Sequence, residues 1–126
     1  MTIKKHVNYL LAIMSFMFCL GLLGSMTATG AGFENQNALQ AAHNYLSFMP
    51  FSRTKLIEQL EFEQYSHSAA TYAADHCGAD WEEQAKRAAQ HYLSCMPFSR
   101  GQLVEQLVFD GFTRSQAEYG VRAAGY

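Results

Sequence analysis

The chain has 126 residues and carries 9 Lys and Arg against 11 Asp and Glu, for a formal net charge of −2. This length gives room for one domain or for two very small ones. The acidic balance argues against nucleic acid and other polyanionic partners, because binding to them depends on clustered Lys and Arg side chains that displace counterions. Proteins and small neutral ligands remain as candidate partners.

The first segment, residues 1–30, differs in composition from the rest. Lys4 and Lys5 precede an uncharged, apolar run from Tyr9 to Leu23, and small residues follow that run. This layout is typical of a secretory signal peptide, with cleavage expected after Gly30. An uncleaved membrane anchor is the alternative, because the apolar stretch and its flanks are long enough to cross a bilayer. In both cases we predict that the remaining chain lies outside the cytoplasm, either secreted or held at the outer face of the cytoplasmic membrane.

A nine-residue motif occurs twice, as Tyr45–Arg53 and again 47 residues later as Tyr92–Arg100. Residues 38–79 and 85–126 align without a gap into 42 pairs, of which 20 are identical. A duplication of this density at a fixed period indicates one supersecondary unit built twice. The chain after the first segment is therefore interpreted as two copies of one small module.

Each copy has the pattern of three short helices. In the first helix, small residues and Tyr45 fall on one helical stripe. The helix must end before the proline of the motif, since the residue before a proline avoids the helical conformation. A Phe-Ser pair then begins the second helix as hydrophobic staple and N-cap, and Phe62 and Phe109 are expected to close that helix. The motif residues are Tyr45, Pro50, Phe51 and Ser52 in the first copy and Tyr92, Pro97, Phe98 and Ser99 in the second.

These patterns predict an all-α fold: a tandem repeat of two three-helix, helix-turn-helix-like modules behind the N-terminal segment. We assign residues 31–37 to a short lead-in, residues 38–79 to repeat 1 and residues 80–126 to repeat 2. In repeat 2 the first helix is expected to start earlier, at an Asp80 N-cap. Trp81 then lies on the apolar stripe of that helix, where it is expected to join the two repeats.

Charged residues that recur or cluster are the candidates for binding a partner. An Arg occupies the same position in both copies, in the first turn of a helix, where the helix dipole disfavours it slightly. The alternatives are an ion pair within each module for the arginines and a solvated face for the acids. The candidate partner-binding residues are Arg53, Glu58, Glu61, Glu63, Arg100 and Glu105.

The sequence offers no support for catalysis or for a cofactor. The possible metal ligands His67, Asp75, His76, Cys77 and Asp80 do not recur in the other copy with the paired spacing of a zinc site, so no metal site is predicted. No nucleophile and base occur in a supported arrangement, and no Gly-rich phosphate loop is present. We therefore predict a protein that is not an enzyme.

Two further alternatives stay open. Cys77 and Cys95 could pair in an exported protein, although the other copy has no cysteine at either position, so the fold does not require the bridge. A helix-turn-helix pattern also suggests a DNA-binding regulator. Against that function stand export, acidity, and a third helix in repeat 1 that contains no Lys or Arg.

The repeated pattern Ala-x-x-Tyr-Leu-x-x-Met-x-Phe-Ser-Arg-x-x-Leu-x-x-Gln-Leu, the Asp80-Trp81 junction and the closing Ala-x-Tyr-Gly-Val of repeat 2 resemble the Ltp family of host cell surface-exposed lipoproteins. The resemblance covers both repeats, residues 38–124. It implies tandem helix-turn-helix-like modules displayed outside the cytoplasmic membrane. For the phage-encoded members it also implies superinfection exclusion, in which the module blocks injection of phage DNA by engaging the phage tape-measure protein.

The chain departs from the family pattern at the lipid anchor. The family's lipobox has a small residue immediately before the acylated cysteine, whereas Cys19 follows Phe16-Met17-Phe18. The residues therefore do not predict lipidation. The function expected from the residues and the resemblance together is a non-enzymatic, extracytoplasmic protein-binding module that blocks phage DNA injection. A cell-envelope or host-surface adhesion module is the alternative.

Overall fold

A computed structural model describes residues 30–126, and the predicted signal peptide or anchor lies outside this part of the chain, apart from its last residue. The described residues form six helices and no strand, which confirms the all-α prediction. The helices are α1 (Ala31–Phe48), α2 (Arg53–Phe62), α3 (His67–His76), α4 (Trp81–Cys95), α5 (Arg100–Phe109) and α6 (Arg114–Ala123). Helices α1–α3 form repeat 1 and helices α4–α6 form repeat 2. Within residues 30–126, no helix is both long and apolar enough to cross a membrane.

The motif acts at the junction of the first and second helices, as its residues predict. Helix α1 ends at Phe48, and Met49 turns to an extended conformation, with φ −154° and ψ 157°, directly before Pro50. Helix α4 ends in the same way before Pro97. The extended conformation is the one that a following proline favours, so the helices stop where the sequence predicts.

Four helices begin at a Ser or Thr whose side-chain oxygen accepts a hydrogen bond from the main-chain N–H three residues on, at 3.1–3.2 Å. These N-caps are Ser52, Ser66, Ser99 and Thr113. In repeat 2, glutamine side chains accept from the N–H of the cap residue in return, at 3.2 and 3.0 Å, and complete two capping boxes. Each Ser or Thr cap stabilises a helix by about 1 kcal/mol.

Helix α1 is longer than the sequence pattern suggests. It begins at Ala31 and has 18 residues, so the segment assigned to a lead-in is helical, and α1 rather than α4, with 15 residues, is the longer first helix. The extra turns are fixed by polar contacts, because the Glu34 carboxylate accepts bonds from the N–H and the hydroxyl of Ser66 at 2.8 and 3.2 Å. Sequence periodicity missed these turns because Glu34 and its neighbours do not continue the apolar stripe.

Each repeat has its own apolar core. In repeat 1 the first and third helices lie along each other, and α2 covers them with Leu56 and Leu60, both fully buried. Repeat 2 uses Leu103 and Leu107 in the same way. Small side chains line the contact of the first and third helices, so the helices approach closely. One close approach is at Gly120, where an added Cβ would lie 2.5 Å from the carbonyl carbon of Ala85.

The repeats meet through a small set of specific contacts. Half-buried Trp81, the first residue of α4, packs against the core of repeat 1. The Phe51 N–H donates to the side chain of Gln84 at 3.1 Å, and the Ser52 hydroxyl donates to the main-chain oxygen of Asp110 at 2.5 Å. The α1–α2 turn of repeat 1 therefore contacts α4 and the α5–α6 turn of repeat 2. We call this contact the seam.

Candidate functional site

A buried polar network lies at the same place in each repeat. In repeat 2 the Tyr92 hydroxyl donates to the Asp110 carboxylate at 2.5 Å, and Gln106 donates to the Tyr92 oxygen at 3.3 Å and to the carboxylate at 3.0 Å. The network ties the first helix of the repeat to the end of the second. Its glutamine is only 7% exposed, so leaving its amide unpaired would cost free energy.

Repeat 1 contains the equivalent network. The Tyr45 hydroxyl donates to the Glu63 carboxylate, and the Gln59 amide donates to the Tyr45 oxygen at 3.3 Å. Glu63, a predicted partner-binding residue, is thus engaged inside its own module. Sequence reasoning missed the glutamines Gln59 and Gln106, although their recurrence at matched positions was the available signal.

The network perturbs the titration of its tyrosine. Burial raises the pKa of Tyr92 well above its usual value of 10, and the negative charge of Asp110 raises it further. Tyr65, whose hydroxyl donates to the Asn37 main-chain oxygen at 3.4 Å, also has a raised pKa, caused first by burial and then by the charges of Glu63 and Glu34. Both tyrosines remain neutral at physiological pH and serve as structural donors.

A cleft opens along the seam. Its volume is about 60 Å³, and Met49, Pro50, Phe51, Ala88, His91 and Tyr92 are among its lining residues. The aromatic rings of the motif pack beside it, with Tyr45 against Phe51 and Tyr92 against Phe98, both edge-to-face at centroid distances of 5.7 and 5.5 Å. The cleft is small, and its accessible surface is mostly apolar.

The charged candidates of repeat 1 lie on the surface and are paired within the module. Arg53 Nε donates to Asp75 Oδ1 at 2.8 Å, and Lys55 Nζ donates to Glu58 at 2.6 Å. Glu61 contacts the imidazole of His67. The Arg53 guanidinium lowers the pKa of Asp75, mainly through its hydrogen bond. The structure therefore places the acids of α2 on a solvated face, where they remain partly exposed and accessible to a partner.

The two candidate residues of repeat 2 differ in their contacts. Glu105 Oε1 accepts from Arg114 at 2.8 Å, and both side chains are more than half exposed. Arg100 is exposed and makes no ion pair or side-chain hydrogen bond with any described residue. The six predicted residues thus do not converge on one site. They are spread over α2, the turn that follows it, and α5.

The aromatic residues expected to close the second helices are the last residues of α2 and α5, and both are exposed. Phe62 is 63% exposed and its counterpart Phe109 is 47% exposed. Phe62 therefore stands among the acids of α2 as an exposed apolar side chain.

Both cysteines that follow the N-terminal segment are free thiols. Cys77 is buried and its thiol lies 3.4 Å from the main-chain oxygen of Ala74, whereas Cys95 is exposed. Within residues 30–126, no three His, Cys, Asp or Glu side chains come together in a way that could hold a metal ion.

Comparison with known proteins matches both repeats. The family of host cell surface-exposed lipoproteins (Lipoprotein Ltp) matches residues 33–77 and 80–123. A solved structure of Ltp, a superinfection exclusion protein from the Streptococcus thermophilus temperate phage TP-J34, is similar at 33% sequence identity with a TM-score of 0.68. That similarity covers 75% of this chain and 97% of the solved chain. Comparison with curated protein sequences finds no match.

Proposed function

Since this chain belongs to the Ltp family of host cell surface-exposed lipoproteins, we propose that it is a non-enzymatic binding protein that acts outside the cytoplasm and blocks injection of phage DNA. The observation that carries the proposal is the similarity, over both repeats, to a superinfection exclusion protein at 33% identity. A likeness confined to one repeat would support the fold alone. Here it extends over nearly the whole of the solved chain.

The structure supports binding rather than catalysis. Buried polar groups hold helices together in both repeats, as in the networks of Tyr92, Gln106 and Asp110 and of Tyr45, Gln59 and Glu63. The charged groups are displayed on short helices that are capped at their starts. Such a module presents fixed surface charges at little cost in conformational entropy on binding, which is what a docking protein requires.

The partner we propose is a phage protein that reaches the cell surface during injection, such as the tape-measure protein. Repeat 1 offers such a partner a surface on α2 that combines the carboxylates of Glu58 and Glu61 with the exposed ring of Phe62. Exposed aromatic side chains contribute strongly to protein interfaces, and surrounding charges direct the encounter.

An infection experiment tests the proposal. The full chain is expressed in a phage-sensitive host, and adsorption of phage particles is measured separately from entry of labelled phage DNA. We expect unchanged adsorption and strongly reduced DNA entry for phages related to those that family members exclude. An unrelated phage and the empty expression vector serve as controls. Unchanged DNA entry for every phage tested would refute the proposal, and reduced adsorption would favour an adhesion or receptor-masking protein instead.

A further inference from the structure

The two repeats differ at one pair of matched surface positions. In repeat 1, Arg53 is the first residue of α2 and Asp75 is the ninth residue of α3, and their side chains form an ion pair with a 2.8 Å Nε–Oδ1 distance. This pair joins the start of the second helix to the end of the third. The Asp75 carboxylate thereby supplies the counter-charge for Arg53.

Repeat 2 lacks the acid of this pair. Arg100 is again the first residue of the second helix, but the ninth residue of α6, 47 positions after Asp75, is Arg122. Because the matched helices begin and end at equivalent residues, Arg100 and Arg122 occupy the positions at which Arg53 and Asp75 are in contact in repeat 1. Two positive charges thus replace a neutral pair.

Neither arginine is neutralised within its own module. Arg100 and Arg122 are exposed and form no ion pair with any residue in the range 30–126. Glu118 lies one helical turn before Arg122 but forms no ion pair with it. Glu105, the acid of α5, forms an ion pair with Arg114. Beside Arg100, the residue Gly101 leaves open space where repeat 1 has Thr54.

We propose that Arg100 and Arg122 form a carboxylate-binding site that takes an Asp or Glu side chain from an acidic segment of a partner protein. The site rests on the proposed function, since it assigns part of the partner's recognition to repeat 2. Repeat 1 shows that a carboxylate can contact the arginine at this position, since Asp75 lies 2.8 Å from Arg53. Guanidinium groups bind carboxylates through paired N–H donors, and a bound anion relieves the repulsion between two adjacent arginines.

The duplication supplies matched variants for the test. Arg122→Asp restores the charge pattern of repeat 1 and lets Arg100 pair within the module. Asp75→Arg makes the reverse change and creates a second candidate site. Arg114→Asp is the control, because it changes the net charge equally on the same helix but outside the site. Circular dichroism is used to check that each variant keeps the helical content and the unfolding midpoint of the original chain.

Binding is measured on the full chain in detergent at low ionic strength, with a fluorescein-labelled oligoglutamate peptide as the probe. We expect saturable, salt-sensitive binding that Arg122→Asp weakens at least tenfold and Arg114→Asp changes less than threefold. Asp75→Arg should raise the stoichiometry from one peptide to two. Equal effects of Arg122→Asp and Arg114→Asp, or an absence of binding by the original chain, would overturn the proposal.

Two further measurements separate the alternatives. In the first measurement, vesicles containing phosphatidylglycerol replace the peptide. Binding to the vesicles without binding to the peptide would show that the ligand is a lipid surface and would overturn the proposal. In the second measurement, the infection experiment is repeated with Arg122→Asp. A variant that blocks DNA entry as well as the original chain would overturn this site while leaving the proposed function intact. Failure of the original chain itself to block entry would instead refute the proposed function.

Discussion

The turn at Gly111 gives the sharpest test of how the two repeats are joined. Gly111 has φ +96°, a conformation that residues with a Cβ rarely adopt. A Cβ added there would lie 2.7 Å from the Ser52 hydroxyl and 2.9 Å from the Cβ of Thr54. The substitution Gly111→Ala therefore strains the turn and also pushes against the α1–α2 junction of the other repeat. The same turn in repeat 1 holds Gln64 at φ 73°, so only the position at the seam requires a glycine.

The magnitude follows from three contributions. An L-residue held in the left-handed region costs roughly 1–2 kcal/mol. Overpacking adds roughly 1–3 kcal/mol, and loss of the hydrogen bond from Ser52 to the Asp110 main-chain oxygen adds about 1 kcal/mol. Since these effects overlap, we expect a net loss of roughly 3 kcal/mol in the free energy of unfolding, which lowers the unfolding midpoint by more than about 10 °C.

Thermal and urea unfolding of the full chain, followed by circular dichroism, measures the effect. The control is Gly101→Ala, because Gly101 lies in helix α5 and an added Cβ there meets no atom within 4 Å. Alanine at that site should stabilise the protein by roughly 0.5–1 kcal/mol through helix propensity. If Gly111→Ala were as stable as the original chain, the seam would not have the close contact described above.

Three more substitutions probe the interior and the surface. Gly120→Ala should destabilise by roughly 1–3 kcal/mol, because its Cβ would meet the Ala85 main chain at 2.5 Å. Tyr92→Phe should cost about 1–2 kcal/mol. It should also remove a loss of stability above about pH 10, since a raised tyrosine pKa stabilises the fold fully below the unfolded value and progressively less above it. Asp75→Asn should cost less than about 1 kcal/mol at pH 7, because its ion pair with Arg53 is exposed.

For each of these predictions, a specific result would contradict it. Unfolding midpoints measured from pH 7 to pH 11 would contradict the tyrosine prediction if Tyr92→Phe lost stability as steeply as the original chain. The Asp75 pKa is depressed, so its contribution should disappear as the pH falls below 3.8. A difference between Asp75→Asn and the original chain that did not shrink as the pH was lowered from 3.8 would have another cause. For Gly120→Ala, unchanged stability would mean that helices α4 and α6 lie farther apart.

Much of the fold could be predicted from the sequence because its signals are local and occur twice. The proline after Met49, the caps at Ser52 and Ser99, and the apolar spacing of Leu56 and Leu60 each act within a few residues. Local chemistry of this kind fixes where helices start and stop. The family, too, is recognisable from the repeated motif alone.

The remaining features depend on contacts between distant residues. The early start of α1 depends on Glu34 reaching Ser66, 32 positions away. The network of Tyr45, Gln59 and Glu63 needs three elements to converge, so Glu63 could not be distinguished from a free surface acid. The alignment of the repeats shows that Asp75 is matched by Arg122. Only the structure shows that Asp75 pairs with Arg53, and therefore that the matched Arg100 lacks this partner.

The most direct test of the central claim compares phage DNA entry in cells that express the full chain with cells that express residues 31–126 alone, with equal protein levels confirmed by immunoblot. The full chain should reduce DNA entry, whereas the shortened chain, retained in the cytoplasm, should leave DNA entry unchanged. Equal protection by the two forms would contradict an extracytoplasmic mode of action, and protection by neither would contradict a role in blocking injection.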